Sequence, residues 1–376
     1  MKRVFLFFAL IGLSVCAKAQ TVVTSGSCGT NVSYVLMDDS TFTIYGDGAM
    51  NNYTSSSRPP WYSAYRDRIK TLVIGDSVTT IGNYAFAASA CLTSVSMGNS
   101  ITTIGNFAFN SCSKLTSINI PNSVTSIGTD VFYICGFASI VLPDGITSIG
   151  DNTFHACALT SITIPTRVKT IGVASFRNCG NLNSITMGDS LTNIANQAFE
   201  GCSKLDTIIC KATTPPTITN TNTFSNVPTT ANVFVPCGTA EDYKAATQWK
   251  RFSNYIEMPF PTPINVSVTQ VDNSFVVAWE GGAESYEVYR DNVLLETVTT
   301  TTYTDTDLEE EKEYCYQIKA VNGDCESVLS EDVCETLDNT GIVSATLNNL
   351  LRVYPNPTTG QLTIACRDAA CHVPTV

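Results

Sequence analysis

Histidine is almost missing from this 376-residue chain: there are two, against fifteen cysteines. That ratio weakens imidazole-based metal centres and acid–base catalysis before any motif is inspected. Charge is scarce as well, at 14% of residues, and the basic side is the poorer one, with 21 Lys and Arg against 33 Asp and Glu. A net charge of −12 repels phosphate backbones and anionic headgroups, so nucleic acid is not expected as a partner. With few charges and many Ser and Thr, the solvated surface must be largely hydroxyl-bearing. Long apolar runs are lacking too. The run near the start, 4–15, is too short to span a bilayer comfortably. It follows Lys2 and Arg3 and precedes Ala17-Lys18-Ala19, so residues 1–19 read as a signal peptide cut before Gln20. Processing at Cys16 is the alternative, disfavoured because Val15 stands where a small residue is wanted. Export leaves no transmembrane segment in the mature chain and puts the other fourteen cysteines where disulfides persist. No paired-carboxylate motif, metal-binding helix or Ser/His/Asp set occurs, so no catalytic residue, metal ligand or cofactor is assigned.

What is present is a repeat. Ile81-Gly82, Ile104-Gly105, Ile127-Gly128, Ile149-Gly150, Ile171-Gly172 and Ile194-Ala195 recur every 22 or 23 residues. Five residues after each Ile stands Phe86, Phe109, Phe132, Phe154, Phe176 or Phe199. A period of this length means a solenoid, whose units bury their apolar faces only by stacking. Each unit also carries a strand signal of the form L-x-x-[VI]-x-[IM], as in Leu115-Thr-Ser-Ile118-Asn-Ile120. Alternation turns the aliphatic side chains inward and the small polar ones onto the open face of a sheet. That face holds Ser94, Ser96, Ser117, Asn119, Ser139, Val141, Ser161, Thr163, Ser184 and Thr186. A second hydroxyl row, from Thr79-Thr80 to Thr147-Ser148, follows the return segment, where Gly105 is read as letting the chain turn. The piece between Ile-Gly and Phe is expected to be a helical turn with Phe as its plug, at about 5 Å per rung.

The wording [VI]-[TK]-[TSN]-I-G-x-x-[AS]-F-x-x-C-x-x-L-x-S-I-x-I-P resembles the BspA-like leucine-rich repeats of bacterial surface proteins. The flanks are similar to that family's caps: residues 20–68, with Pro60-Trp61-Tyr62, and 210–258, with Val235-Pro236-Cys237-Gly238 and Trp249. Between them lie the repeats, 69–209. The resemblance implies extracellular recognition or adhesion and brings no catalytic residues.

Cys112, Cys135, Cys157, Cys179 and Cys202 each stand three residues after the Phe, while the first unit has Ser89 there. One cysteine per rung, in phase with a buried ring, reads as a ladder of packed thiols. Inter-rung disulfides are the alternative; metal binding would need ligands that converge rather than line up. Cys210 and Cys237 stand outside the ladder, and a bridge between them would close a loop of about 28 residues. His155, two residues from Cys157, invites a Cys/His dyad, but its equivalents vary from Ala87 to Glu200 and it reads as a surface residue.

After Pro259-Phe-Pro261-Thr-Pro263, with 259–262 as a linker, the period stops. Residues 263–337 read as short alternating strands and resemble a fibronectin type III domain, with Trp279 inward and Tyr314-x-Tyr316-x-Ile318-x-Ala320 as the sixth strand. If Ala320 opposes Leu329, Cys315 falls opposite Cys334 and a cross-strand disulfide is reasonable. Residues 338–350 read as a linker. Leu351-Arg-Val-Tyr-Pro-Asn-Pro-Thr-Thr-Gly360 then resembles the start of a type IX secretion sorting domain, cut short over 351–376.

The fold expected is therefore a β-rich leucine-rich repeat solenoid of six repeats plus caps, followed by a fibronectin type III-like sandwich. The function expected is non-enzymatic: an exported surface or secreted protein that presents its repeat face to a protein ligand, from a host or a bacterial surface. The alternatives are a structural, self-associating surface component and, less favoured, the accessory region of a secreted hydrolase.

Overall fold

Six phenylalanines at one place in a short period stack into a single column. In the computed structural model their rings lie face to face, with centroids 5.3 to 6.0 Å apart from Phe86 to Phe199. Phe224 adds a seventh ring at 5.5 Å. Each end of the column is closed by tryptophan: Trp61 stacks on Phe86, and Trp249 lies against Phe224. A buried indole needs a partner for its N–H. Trp61 Nε1 donates to Ala85 O at 3.0 Å and Trp249 Nε1 to Pro216 O at 2.9 Å. The structure describes residues 20–338, apart from 219, and the backbone of three short strands within 352–370. The expected signal peptide, 1–19, and all but Asp338 of the expected 338–350 linker lie outside the described residues.

Around the ring column the chain winds as a β-solenoid of about eight turns. The antiparallel strands Val22–Ser27, Val32–Met37 and Thr41–Gly46 form its first cover. Thr71–Ile74, Ser94–Ser96 and Ser117–Asn119 then add in parallel. A second parallel set follows: Ser161–Thr163, Ser184–Met187, Thr207–Cys210, Asn232–Pro236 and Asn254–Met258. The Ile-Gly segments form their own narrow ladders on the return side, such as Thr103–Ile104 beside Ser126–Ile127.

The segment carrying Phe is not the helical turn expected. Two residues per rung take left-handed backbone, three and seven positions after the Ile: Tyr84 and Ala88, Phe107 and Ser111, Asp130 and Ile134, Asn152 and Ala156, Ala174 and Asn178, Gln197 and Gly201. Alternating the hand of the turn lets every second N–H point along the stack. Tyr84, Phe86 and Ala88 thus donate to Asn106 O, Ala108 O and Asn110 O of the next rung at 2.7 to 2.9 Å. A helix would direct those bonds back into its own rung.

The glycine after Ile does not supply a turn either. Gly105 lacks a positive φ; it is needed for room. The Asn83 carboxamide accepts the Asn106 N–H at 2.8 Å, and a Cβ on Gly105 would meet Asn83 Oδ1 at 2.5 Å. The same device repeats with Asn106 and Asp151, which accept N–H groups one rung on at 2.9 and 2.7 Å; Asn52 also accepts the Asn83 N–H at 2.9 Å, but at Gly82 it is the Asn51 carbonyl that a Cβ would meet. Where the preceding rung carries Val173 at that place, the next residue after Ile is Ala195.

The chain divides after Pro259 into two units. In the second, a three-stranded and a five-stranded antiparallel sheet share one core, with Phe275, Val277 and Trp279 from one and Tyr286, Val288, Tyr314, Tyr316 and Ile318 from the other. Strands Arg352–Pro355, Leu362–Cys366 and Ala369–Ala370 form a separate antiparallel sheet.

Candidate functional site

Two columns of side chains run along the open face of the solenoid, set by the parallel register. The first reads Thr41, Thr71, Ser94 and Ser117, then Ser161, Ser184, Thr207, Asn232 and Asn254. Every member carries a hydroxyl or an amide. The second reads Thr43, Val73, Ser96 and Asn119, then Thr163, Thr186, Ile209, Phe234 and Ile256. It passes from polar to apolar toward the C-terminal cap. Ser96, Ser117, Asn119, Ser161 and Thr163 are exposed; Ser94, Ser184 and Thr186 are half-buried. Some hydroxyls beside these columns are committed to the fold, since Thr93 and Thr160 donate to Lys70 O and Ala138 O of the rung before.

Ser139 is exposed but does not continue the first column. Residues 137–142 belong to neither parallel sheet, and the face divides there into two sets of strands. The third and fourth rungs are each one residue short, Cys135-Gly-Phe137 and Cys157-Ala-Leu159, where others read Cys112-Ser-Lys-Leu115. The fourth still forms its strand. Phe137 in place of leucine is what distinguishes the third; its ring sits edge-on to Phe132 at 5.5 Å, and its backbone leaves the ladder. Val141 in that rung is 84% exposed. On the adjoining edge the two shortened rungs leave an open dent of about 520 Å³, floored by Cys135, Gly136, Cys157 and Ala158 and rimmed by Ser113 and Asn181.

The five ladder cysteines are buried free thiols. Each Sγ–H donates to the carbonyl of the phenylalanine one rung earlier: Cys112 to Phe86 O, Cys135 to Phe109 O, Cys157 to Phe132 O, Cys179 to Phe154 O and Cys202 to Phe176 O, at 2.9 to 3.3 Å. Burial pushes Cys112 and Cys179 from 9.0 up to about 12, and raises Cys135, Cys157 and Cys202 as well. A thiol held protonated is neither nucleophile nor metal ligand at neutral pH. Among the described residues no cluster of His, Cys, Asp and Glu is placed to hold a metal ion.

The expected Cys210–Cys237 bridge is not formed. Cys210 is a free, buried thiol. Ile209 pairs with Phe234, so Cys210 faces Val235, and Cys237 lies two residues, about 7 Å, further along. The Tyr243 hydroxyl covers the sulfur at 3.1 Å and donates to Ala212 O at 2.8 Å. Cys28 is likewise a buried free thiol. In the second unit Cys315 is disulfide-bonded to Cys334. The strands reach that pairing by another route than an Ala320–Leu329 contact. Asn322 pairs with Cys325, two residues out of step, and the hydroxyls of Ser327 and Ser330 fill the ladder by accepting the N–H groups of Ala320 and Ile318 at 2.9 Å.

His155 is not a free surface histidine. Its ring packs on Tyr133 at 4.7 Å, and burial, with the charge of Arg177, lowers its pKa. Nothing places it beside Cys157 as a dyad. One cluster was not foreseen at all. Arg66 lies over Tyr62 at 4.4 Å, Arg58 over Tyr62 at 4.6 Å and over Tyr84 at 5.3 Å, and Tyr84 stacks on Phe107 at 4.5 Å. The signal was present as Arg58-x-x-x-Tyr62-x-x-x-Arg66, with Tyr84 and Phe107 at one place in successive repeats.

A regular parallel stack with in-register hydroxyls outside and aliphatic residues, rings and thiols inside defines a leucine-rich repeat solenoid. The profile of the BspA type leucine rich repeat region matches six copies over residues 62–136 and 125–241. No curated protein matches the chain. Solved structures that are similar include a leucine-rich repeat protein from Eubacterium ventriosum ATCC 27560, at 19% identity and TM-score 0.45 over 64% of this chain and 79% of that one. The T. pallidum leucine rich repeat protein is 24% identical at TM-score 0.37, over 60% and 94% of the two chains. A leucine rich cell surface protein from Faecalibacterium prausnitzii A2-165 is 18% identical at TM-score 0.32, over 64% and 95%.

Proposed function

We propose that this is a non-enzymatic, exported recognition protein whose open solenoid face binds a protein ligand at a cell surface. The observation that carries this reading is the pair of columns kept in register within each of the two strand sets, with Ser96, Ser117, Asn119, Ser161 and Thr163 exposed. The stack is held together from its other side, by rings, thiols and aliphatic residues, so the hydroxyls and amides of Ser117, Asn119, Ser161 and Thr163 are left over from folding. Small side chains on a rigid sheet suit a protein surface, which approaches closely and is matched by many weak contacts around a few anchors. Sugars would call for exposed aromatic platforms on that face. In this reading the second unit, whose alternating core contains Trp279, Tyr314 and Tyr316, is a fibronectin type III-like spacer, and residues 351–376 are part of a sorting signal for type IX secretion. No described helix is long and apolar enough to cross a membrane.

The test is retention of host and bacterial surface proteins by the immobilised full chain and by a Ser117→Arg/Thr163→Arg variant. A partner held by the first and released by the second, with thermal unfolding unchanged, supports the assignment. A partner retained equally by both refutes it.

A further inference from the structure

The charge of this protein is unevenly placed. Residues 260–338 carry eighteen Asp and Glu against three Lys and Arg, whereas residues 20–259 carry fourteen against thirteen. Within the second unit, Glu311 donates its N–H to Leu337 O, and Glu313 and Glu335 stand at the same end of the ladder formed by Glu313–Asn322 and Val333–Thr336. With Glu309, Glu310 and Asp338 this end of the ladder carries six carboxylates and one cation, Lys312, whose Nζ lies 3.3 Å from Glu309 Oε1. The N-terminal cap of the solenoid offers the opposite. Between 58 and 70 there are four cations and one acid, Asp67. Arg58 and Arg66 are held in the row with Tyr62 and Tyr84, all half-exposed, and Arg58 Nε is anchored on Ser55 O at 3.0 Å. Rigid Tyr and Arg side chains that bind without losing much rotamer freedom are the types that anchor protein interfaces. Opposite potentials on two surfaces steer them together.

We propose that the Arg58–Tyr62–Arg66 row of one copy docks on the carboxylate-rich end of the second unit of another copy. Because the two surfaces differ, the contact is head-to-tail and can extend to rings or open chains. This is independent of the open-face reading above, since it uses neither exposed column.

Sedimentation velocity of the full chain over a hundredfold range of concentration, at about 0.02 M and about 0.5 M salt, tests it. The weight-average mass should rise with concentration at low salt and return to that of a monomer at high salt. Arg58→Glu/Arg66→Glu should weaken association by about tenfold or more, and so should Glu313→Lys/Glu335→Lys. The second pair is remote from the cap and keeps the test decisive if the first variant folds poorly. Mixing the two reversed proteins should restore association. A monomer at every concentration in low salt would overturn the proposal, as would association that salt and the Glu313→Lys/Glu335→Lys reversal leave intact.

Discussion

In the solenoid a thiol, a carboxamide or a carbonyl finds its partner one rung away, in a copy of the same arrangement. In the sandwich Asp305 is held by three groups of different kinds: Arg290 Nη1 at 2.8 Å, the Tyr316 hydroxyl at 2.7 Å and the Asp307 N–H at 3.1 Å. The first solution spreads buried polarity thinly along a line, and a defect reaches only the neighbouring rungs. The second concentrates it in one network that fails together. The contrast explains why the solenoid tolerates a shortened rung and a segment at 137–142 that joins neither sheet, and it can be tested by perturbing each kind of site.

The largest effect should come from alkali. A thiol whose pKa is higher folded than unfolded keeps its proton where the unfolded chain sheds it. Stability is then full below 9.0 and falls as pH rises toward the folded value of about 12 for Cys112 and Cys179. Each such thiol contributes about 1.4 kcal/mol of loss per pH unit, so five in one column should cost the solenoid several kcal/mol between about pH 9 and about pH 10. In the sandwich Tyr316 and Tyr303 are raised from 10.0, so its loss should begin about one unit later. Urea unfolding followed at several pH values separates the two transitions; equal sensitivity of both between pH 9 and 10 would contradict the assignment of the thiols. Next in size, Asp305→Ala removes the acceptor of Tyr316 and one of two carboxylates at Arg290, which keeps Asp307, and should remove about 3 kcal/mol from the transition of the second unit alone. Spread of that loss into the solenoid transition would mean that the units do not unfold separately.

Within the solenoid, Gly105→Ala drives a methyl onto Asn83 Oδ1 and should cost about 1–3 kcal/mol. Ala195→Gly, above Val173, should cost no more than about 1 kcal/mol, from backbone entropy. Because Asn83 N and Gly82 C also lie within 3.0 Å of that methyl, the double change Asn83→Ala/Gly105→Ala should recover only part of the loss; strict additivity would show that the carboxamide takes no share in excluding the Cβ. Smallest of all, Ser117→Ala should leave unfolding within about 0.5 kcal/mol of the parent, as befits a side chain outside the core.

The repeat, its strands, the Phe column and the in-phase cysteines were legible because each is a periodic signal, and six copies average out local noise. The two left-handed residues per rung were not, since Tyr, Phe, Ala, Gln and Asn all occupy those places and only the stack of hydrogen bonds imposes the conformation. Gly105 was visible but misread: a glycine required for space looks the same in one sequence as a glycine required for a turn. The Cys210–Cys237 pairing failed because proximity in a cap depends on strand register, which Tyr243 and the Ile209–Phe234 pairing fix and which no local motif announces. On the open face, the columns could be written down from alternation alone. The break at Ser139 needed the knowledge that Phe137 packs against Phe132.

The carboxamide ladder has a direction. Asn52 accepts from Asn83, Asn83 from Asn106 and Asn106 from Thr129, so each acceptor precedes its donor in the chain. Within this ladder a polypeptide made from its N-terminus presents each acceptor before its donor has emerged, whereas the N–H groups of Tyr84, Phe86 and Ala88 wait for carbonyls of the next rung. Each new rung completes bonds of both directions with the rung before it, so the stack can lengthen by one rung at a time.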